Sequence, residues 1–216
     1  MGEPLLGWLP LFEQGLAVTV ALSIVSASAS TLVGIPVALA LDANGTWIQR
    51  VAKTYSAAIR GIPPILVLFG VFFGLPTIGL QIDAFPAAVI AMTVYGAAYM
   101  GEIFRAGLRA VPAGQHEAAR ALGLTNAYAL RRVYVPQALS VISPPFVNEL
   151  TELVKDTALA SVIGVRDMSD VANSVTSITY QPLQIFAVTA AVYGAIISGL
   201  LIFQELSAKR LWRAGR

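Results

Sequence analysis

The chain has 216 residues, of which 56% are hydrophobic and 12% charged, with 14 Lys and Arg against 12 Asp and Glu and no Cys. An ordinary soluble domain is roughly a quarter charged, so the composition points to lipid as the solvent, and the lack of Cys excludes disulfide frameworks, thiolate catalysis and Cys-based metal sites. The pI is near 9.0, but the basic residues do not cluster with aromatics, so no nucleic-acid face is expected.

Met1 to Gln14 carries Glu3 and Glu13 and no Lys or Arg; this is unlike the basic start of a secretory signal peptide, and the segment is expected to remain on the mature protein. Apolar runs able to cross about 30 Å of hydrocarbon follow. The first, Leu16 to Leu41, has no charge. Its Ser23, Ser26, Ala27, Ser28, Ala29, Ser30 and Gly34 suit close helix packing, the expected use, or a polar pore lining. The second, Ile62 to Leu80, opens at Pro63-Pro64 and is interrupted at Pro76; the third runs from Phe85 to about Phe104.

A loop over about 107–135 separates it from the fourth run. Pro112 suits the first turn of a helix and Gly123 its end, and Thr125 can cap a second helix through Arg131 and Arg132 to Val135, where Pro136 opens the next span. A helix, a glycine turn and a helix form a compact knob, either a docking element or a plain surface loop. His116 is the chain's one histidine; alone, it fits a solvated or interface side chain rather than a metal ligand.

The fourth run, 136–155, holds Pro144, Pro145, Asn148, Glu149, Glu152 and Lys155, with Asp156 just beyond. Ionisable side chains in a span cost about 2.5 to 3.5 kcal/mol each and normally face a partner, a cavity or a pathway. At about 100° per residue, Asn148, Glu149, Glu152, Lys155 and Asp156 share a third of the helix circumference, while Leu150, Leu153 and Val154 point elsewhere. The prolines remove amide donors, and irregular backbone at this depth is tolerated beside a water-filled cavity. A solute pocket fits this pattern. The alternative is an internal Glu152–Lys155 pair with Asp156 in the outer interface. Three acids against one lysine would favour a cationic solute, unless burial protonates one of them. The fifth run, Leu183 to Leu206, is apolar up to Gln204 and Glu205.

These runs predict an all-α integral membrane protein with five transmembrane helices in a single domain over 1–216. Lys and Arg gather after span one (Arg50, Lys53, Arg60), after span three (Arg105, Arg109, Arg120, Arg131, Arg132) and in the tail (Lys209, Arg210, Arg213, Arg216), whereas the other side has only Lys155 and Arg166. Basic segments stay in the cytoplasm, which places the N-terminus outside and the C-terminus inside.

Glu117-Ala118-Ala119, then Gly123 and Pro136, resemble the Glu-Ala-Ala loop of ABC importer permeases. Gly114-Gln115 precedes that signature as in the family. Arg60-Gly61 with Pro63 is similar to the entry to the second span in its polar amino acid branch, which takes His, Glu, Gln, Arg or opines. Tyr99, Glu102, Arg105 and Gly107 resemble the end of the third span, and Asn148-Glu149, Lys155-Asp156-Thr157 and Leu159 the fourth. Ile62, Val67 and Ala158 depart from it, standing where the family usually has polar residues.

The resemblance implies a type I ABC importer permease fold in the bacterial cytoplasmic (inner) membrane. It implies that Gln115, Glu117, Ala118, Ala119 and Gly123 form the coupling element seated in a separate ATPase, which would carry ATP and Mg, with no cofactor on this chain. It also implies an extracytoplasmic solute-binding protein, a second permease chain, identical or paralogous, and an amino acid as solute. Consistently, the sequence has no Gly-x-x-x-x-Gly-Lys phosphate loop. Two rival classes are a passive channel, which needs no ATPase-docking loop, and an intramembrane hydrolase. The latter lacks both a Ser paired with a His base in a span and a second intramembrane aspartate.

Overall fold

The computed structural model describes residues 5–214, with side chains described over 7–206. Glu3, Arg216 and the side chains of Lys209, Arg210 and Arg213 lie outside the described residues. Every regular element described is helical. In chain order these are α1 (Leu9–Leu41), α2 (Trp47–Arg60), α3 (Pro64–Gly74), α4 (Ala84–Arg109), α5 (Ala113–Ala121), α6 (Asn126–Ala129), α7 (Val135–Asp156), α8 (Met168–Thr179) and α9 (Pro182–Ala214). Short 3-10 turns extend α3 over Leu75–Ile78 and α7 over Thr157–Ile163, and a π turn over Leu130–Tyr134 joins α6 to α7.

Helices α1, α4 and α9 are each long and apolar enough to cross a membrane, and α2 with the α3 segment passes the same test as a pair bent by 106°. The bend separates two different helices. α2 is capped by Thr46, whose side chain accepts the Gln49 amide, and leaves Trp47, Ile48 and Val51 exposed, as a helix lying along the interface does. α3 is apolar throughout, and with its 3-10 turn it measures about 25 Å.

α1 and α4 form the centre of the fold. Ser26, Ser30, Gly34 and Ala38 recur every four residues on the buried face of α1, and a Cβ added at Gly34 would lie 2.6 Å from the Met100 Cβ. Ser30 donates to the Met92 carbonyl at 3.3 Å. Those small residues therefore serve helix packing, with Ser28 left exposed. Leu22, Met92, Met100 and Leu153 bring α1, α4 and α7 into one core.

α8 is absent from the sequence expectations, as is α2. The buried Asp167 caps it by accepting the Asp170 amide at 2.9 Å and the Tyr193 hydroxyl at 3.2 Å. The Met168 amide donates to Thr19 at 3.1 Å. Val171 and Val175 then pack with Trp8, Leu11 and Phe12, so α8 ties the start of α1 to α9.

Three expectations are corrected. The first helix begins at Leu9 rather than Leu16, because the run before Leu16 holds only Glu13 and Gln14 as strongly polar residues. The second helix of the loop does not end before span four: α6, the π turn and α7 are contiguous from Asn126 to Asp156. Pro136 has no amide to donate, and the ladder shifts register just before it, with the Val135 amide reaching back five residues to the Leu130 carbonyl. Pro144-Pro145 lies inside the regular α7 helix, so the irregular backbone expected there is missing, although the Ser140 and Val141 carbonyls lose their intrahelical donors.

Candidate functional site

The five polar residues expected at the site divide between an exposed stripe of α7 and a side covered by the bundle. Val141, Pro144, Pro145, Asn148, Glu152 and Lys155 form one exposed stripe. On it Lys155 Nζ and Glu152 Oε1 are 2.6 Å apart, with side chains 47% and 48% accessible. The internal pair considered from sequence is therefore present. Glu149 is buried, 6% accessible, and Asp156 half-buried. Asp156 lines one crevice with Tyr95 of α4.

Three residues outside the sequence prediction complete this acidic side. The Tyr95 and Tyr99 hydroxyls are 3.1 Å apart and their rings 5.0 Å. The Arg60 guanidinium, at the end of α2, lies 5.4 Å from the Tyr99 ring centre, within the range of a cation–π contact. Arg60 is also 3.5 Å from Glu102. The signal for this group is the spacing of Tyr95, Tyr99 and Glu102 on one face of α4.

Glu102 anchors a second array at the far end of α4. It accepts from Ser56 at 3.2 Å and from Arg105 at 2.8 Å. Arg109 donates to Asp42, the residue after α1, at 2.7 Å. The ends of α1, α2 and α4 are thereby joined through alternating charges.

Where Asp156 and Tyr95 meet Pro64, Leu68 and Leu153, the crevice is about 20 Å³. That is room for about one water and not for an amino acid. The other three polar side chains lie outside that crevice, on the exposed stripe. Asn148, Glu152 and Lys155 cannot face lipid at low cost there, so the stripe calls for an aqueous path or a second chain.

The loop forms a second candidate site. α5 ends as expected: Gly123 has φ +67°, a conformation glycine adopts without steric cost, and its amide donates to the Arg120 carbonyl at 2.9 Å. Thr125 caps α6 by accepting the Tyr128 amide at 3.4 Å. Gln115, Glu117 and Ala118 are exposed, and Ala119 is buried under them. His116 stacks on Tyr134, and Gln115 pairs with Gln137.

The family described as the binding-protein-dependent transport system inner membrane component matches residues 30–213. The chain is 37% identical to the arginine transport system permease protein ArtQ of Bacillus subtilis (strain 168) over 94% of its own length and 93% of that protein's. It is 33% identical to the octopine transport system permease protein OccM of Rhizobium meliloti, over 88% of this chain and 82% of that one. A crystal structure of an amino acid ABC transporter with histidines superposes with a TM-score of 0.89 at 35% identity, covering 97% of this chain and 100% of that chain. An inward-facing structure of the MetNI methionine ABC transporter, 22% identical with a TM-score of 0.81 over 98% and 99% of the chains, shares the fold.

Proposed function

This chain belongs to the binding-protein-dependent transport system inner membrane component family, and from that premise we infer that it imports polar amino acids or related small zwitterions, cationic ones and opines included. It is an inner-membrane permease subunit, a transport component rather than a catalyst. The observation that carries the solute class is the acidic side of α7, where buried Glu149 and half-buried Asp156 sit behind an exposed polar stripe. The names of the arginine and octopine relatives agree with it.

In this reading the chain crosses the membrane five times, through α1, α3, α4, α7 and α9, with the N-terminus outside. Two permease chains, identical or paralogous, bring their α7 stripes together about a two-fold axis and close the solute path between them. Asn148, Glu152 and Lys155 line it, with Glu149 and Asp156 behind them. The negative charge of Glu149 and Asp156 favours a cationic group on the path, and Lys155 or Arg60 meets the carboxylate. An extracytoplasmic binding protein delivers the solute.

Separate ATPase subunits, which bind ATP and Mg, grip α5 through Gln115, Glu117, Ala118 and Ala119, and Gly123 supplies the turn behind it. Glu117→Lys reverses a charge at this surface, and Gly123→Val forces a β-branched residue into a left-handed turn. Each variant should insert normally and lose at least about ten-fold of solute-stimulated ATP turnover in the reconstituted complex, a loss of about 1.4 kcal/mol of coupling. Full stimulation in both would exclude α5 as the docking element.

A further inference from the structure

We propose that His116 and Tyr134 form a ring clip which, with the Gln115–Gln137 amide pair, makes α5 and the α7 rod a single lever, His116 being a positioning residue for energy coupling. The coupling half of this proposal rests on the reading of α5 as the ATPase-docking element.

α5 has nine residues, too few for an isolated helix to hold its shape in water, and Ala119 is its one buried residue. Its other ties to the bundle are side-chain contacts. The His116 and Tyr134 ring centres are 4.2 Å apart at an interplanar angle of 22°. Gln137 Nε2 donates to Gln115 Oε1 at 3.2 Å and also to the Val133 carbonyl at 3.0 Å. Gln115 and His116 adjoin the exposed Glu117, so the clipped and gripped parts of α5 share one turn.

On the other side, Tyr134 and Gln137 are three residues apart and share a face of the helix. They flank Pro136, immediately after the π bond from the Val135 amide to the Leu130 carbonyl. From Gln137 the α-helix continues without a break to Asp156, and Glu149 is about 18 Å along it. A push on α5 thus reaches the acidic face through one rigid element. Without the clip, the same push would be absorbed in the loop between Gly123 and Thr125.

Two measurements test this. In the purified chain, His116→Ala should speed hydrogen exchange of the α5 amides by about three- to ten-fold, the worth of one aromatic contact, and leave α1 and α4 unchanged. His116→Phe, which keeps a ring and removes the imidazole nitrogens, should restore protection. In the reconstituted complex, His116→Ala and Tyr134→Ala should each raise the ATP hydrolysed per solute imported by a similar factor, with the double variant no worse than either alone and His116→Phe near wild type. Wild-type exchange in His116→Ala, or failure of His116→Phe to restore it, would overturn the clip. Loss of ATPase co-purification in His116→Ala would also overturn the proposal, by making His116 a docking contact. A wild-type complex that imports no amino acid would refute the proposed function instead, and the exchange experiment would still decide whether the clip exists.

Discussion

Glu149 and Asp156 carry the proposed preference for positive charge, and they do so from different depths. Glu149 is buried within α7, while Asp156, half-buried, closes the end of that helix. Replacing either by its amide keeps size and removes charge. Glu149→Gln and Asp156→Asn should lower uptake of cationic solutes at least about ten-fold, a loss of about 1.4 kcal/mol of charge attraction. Neutral amino acids should change by no more than about two-fold. Initial rates with a binding protein that accepts both solutes make the comparison, and equal rates for both solute classes in both variants would reduce the acids to structural roles. The acids were legible in the sequence because an ionisable residue in a span is costly and stands out. The Tyr95–Tyr99 pair was legible in principle from its spacing on α4, whereas Arg60 comes to it from α2, a long-range contact that no local spacing encodes. The Glu152–Lys155 pair was legible from its spacing alone.

Among the elements, the α1–α4 seam shows how a pattern of small residues becomes an interface. Gly34→Val would place its first side-chain carbon 2.6 Å from the Met100 Cβ, with the Gly101 amide nitrogen 3.3 Å away. In a packed interior such an insertion costs about 1 to 3 kcal/mol. The variant should therefore show a lower thermal unfolding midpoint in detergent and less folded protein in membranes, whereas Gly199→Val, with open space around it, should show neither. Equal stability of the two variants would mean that the seam is looser than its geometry. The end signals at Gly123 and Thr125 were correctly legible, since capping is local chemistry. The contiguity of α6 with α7 was not. Proline at position 136 reads as a boundary, and only the register shift to a π turn lets the helix pass it. α2 and α8 escaped because their amphipathic pattern has no long apolar run, although Thr46 and Asp167 are local caps of the same kind as Thr125.

For the whole molecule, the distribution of Lys and Arg fixes the expected orientation, and the absence of native Cys makes it simple to measure. Cysteines at the exposed positions Asp83 and Ser174 should react with an impermeant reagent added outside, and those at Lys53 and Ala113 only after the membrane is opened. The reverse pattern would require another crossing count or orientation. In the proposed arrangement five crossings supply half of a closed pathway, with the exposed polar stripe of α7 as the surface for the other half.

The central claim is that this chain moves polar amino acids inward at the expense of ATP, and the most direct measurement is uptake by its complex. The complex would be purified through a tag on this chain from its own membrane and reconstituted in vesicles with the ATPase face toward the lumen, where ATP and Mg are enclosed, and the binding protein and solute outside. The prediction is accumulation of labelled arginine or a related polar amino acid on the ATPase side, to at least about ten times its starting concentration, which corresponds to about 1.4 kcal/mol of work, only when ATP, Mg and the solute-binding protein are all present. Equilibration at the same rate without ATP would make the protein a channel. ATP turnover that no polar amino acid stimulates would contradict the proposed solute class.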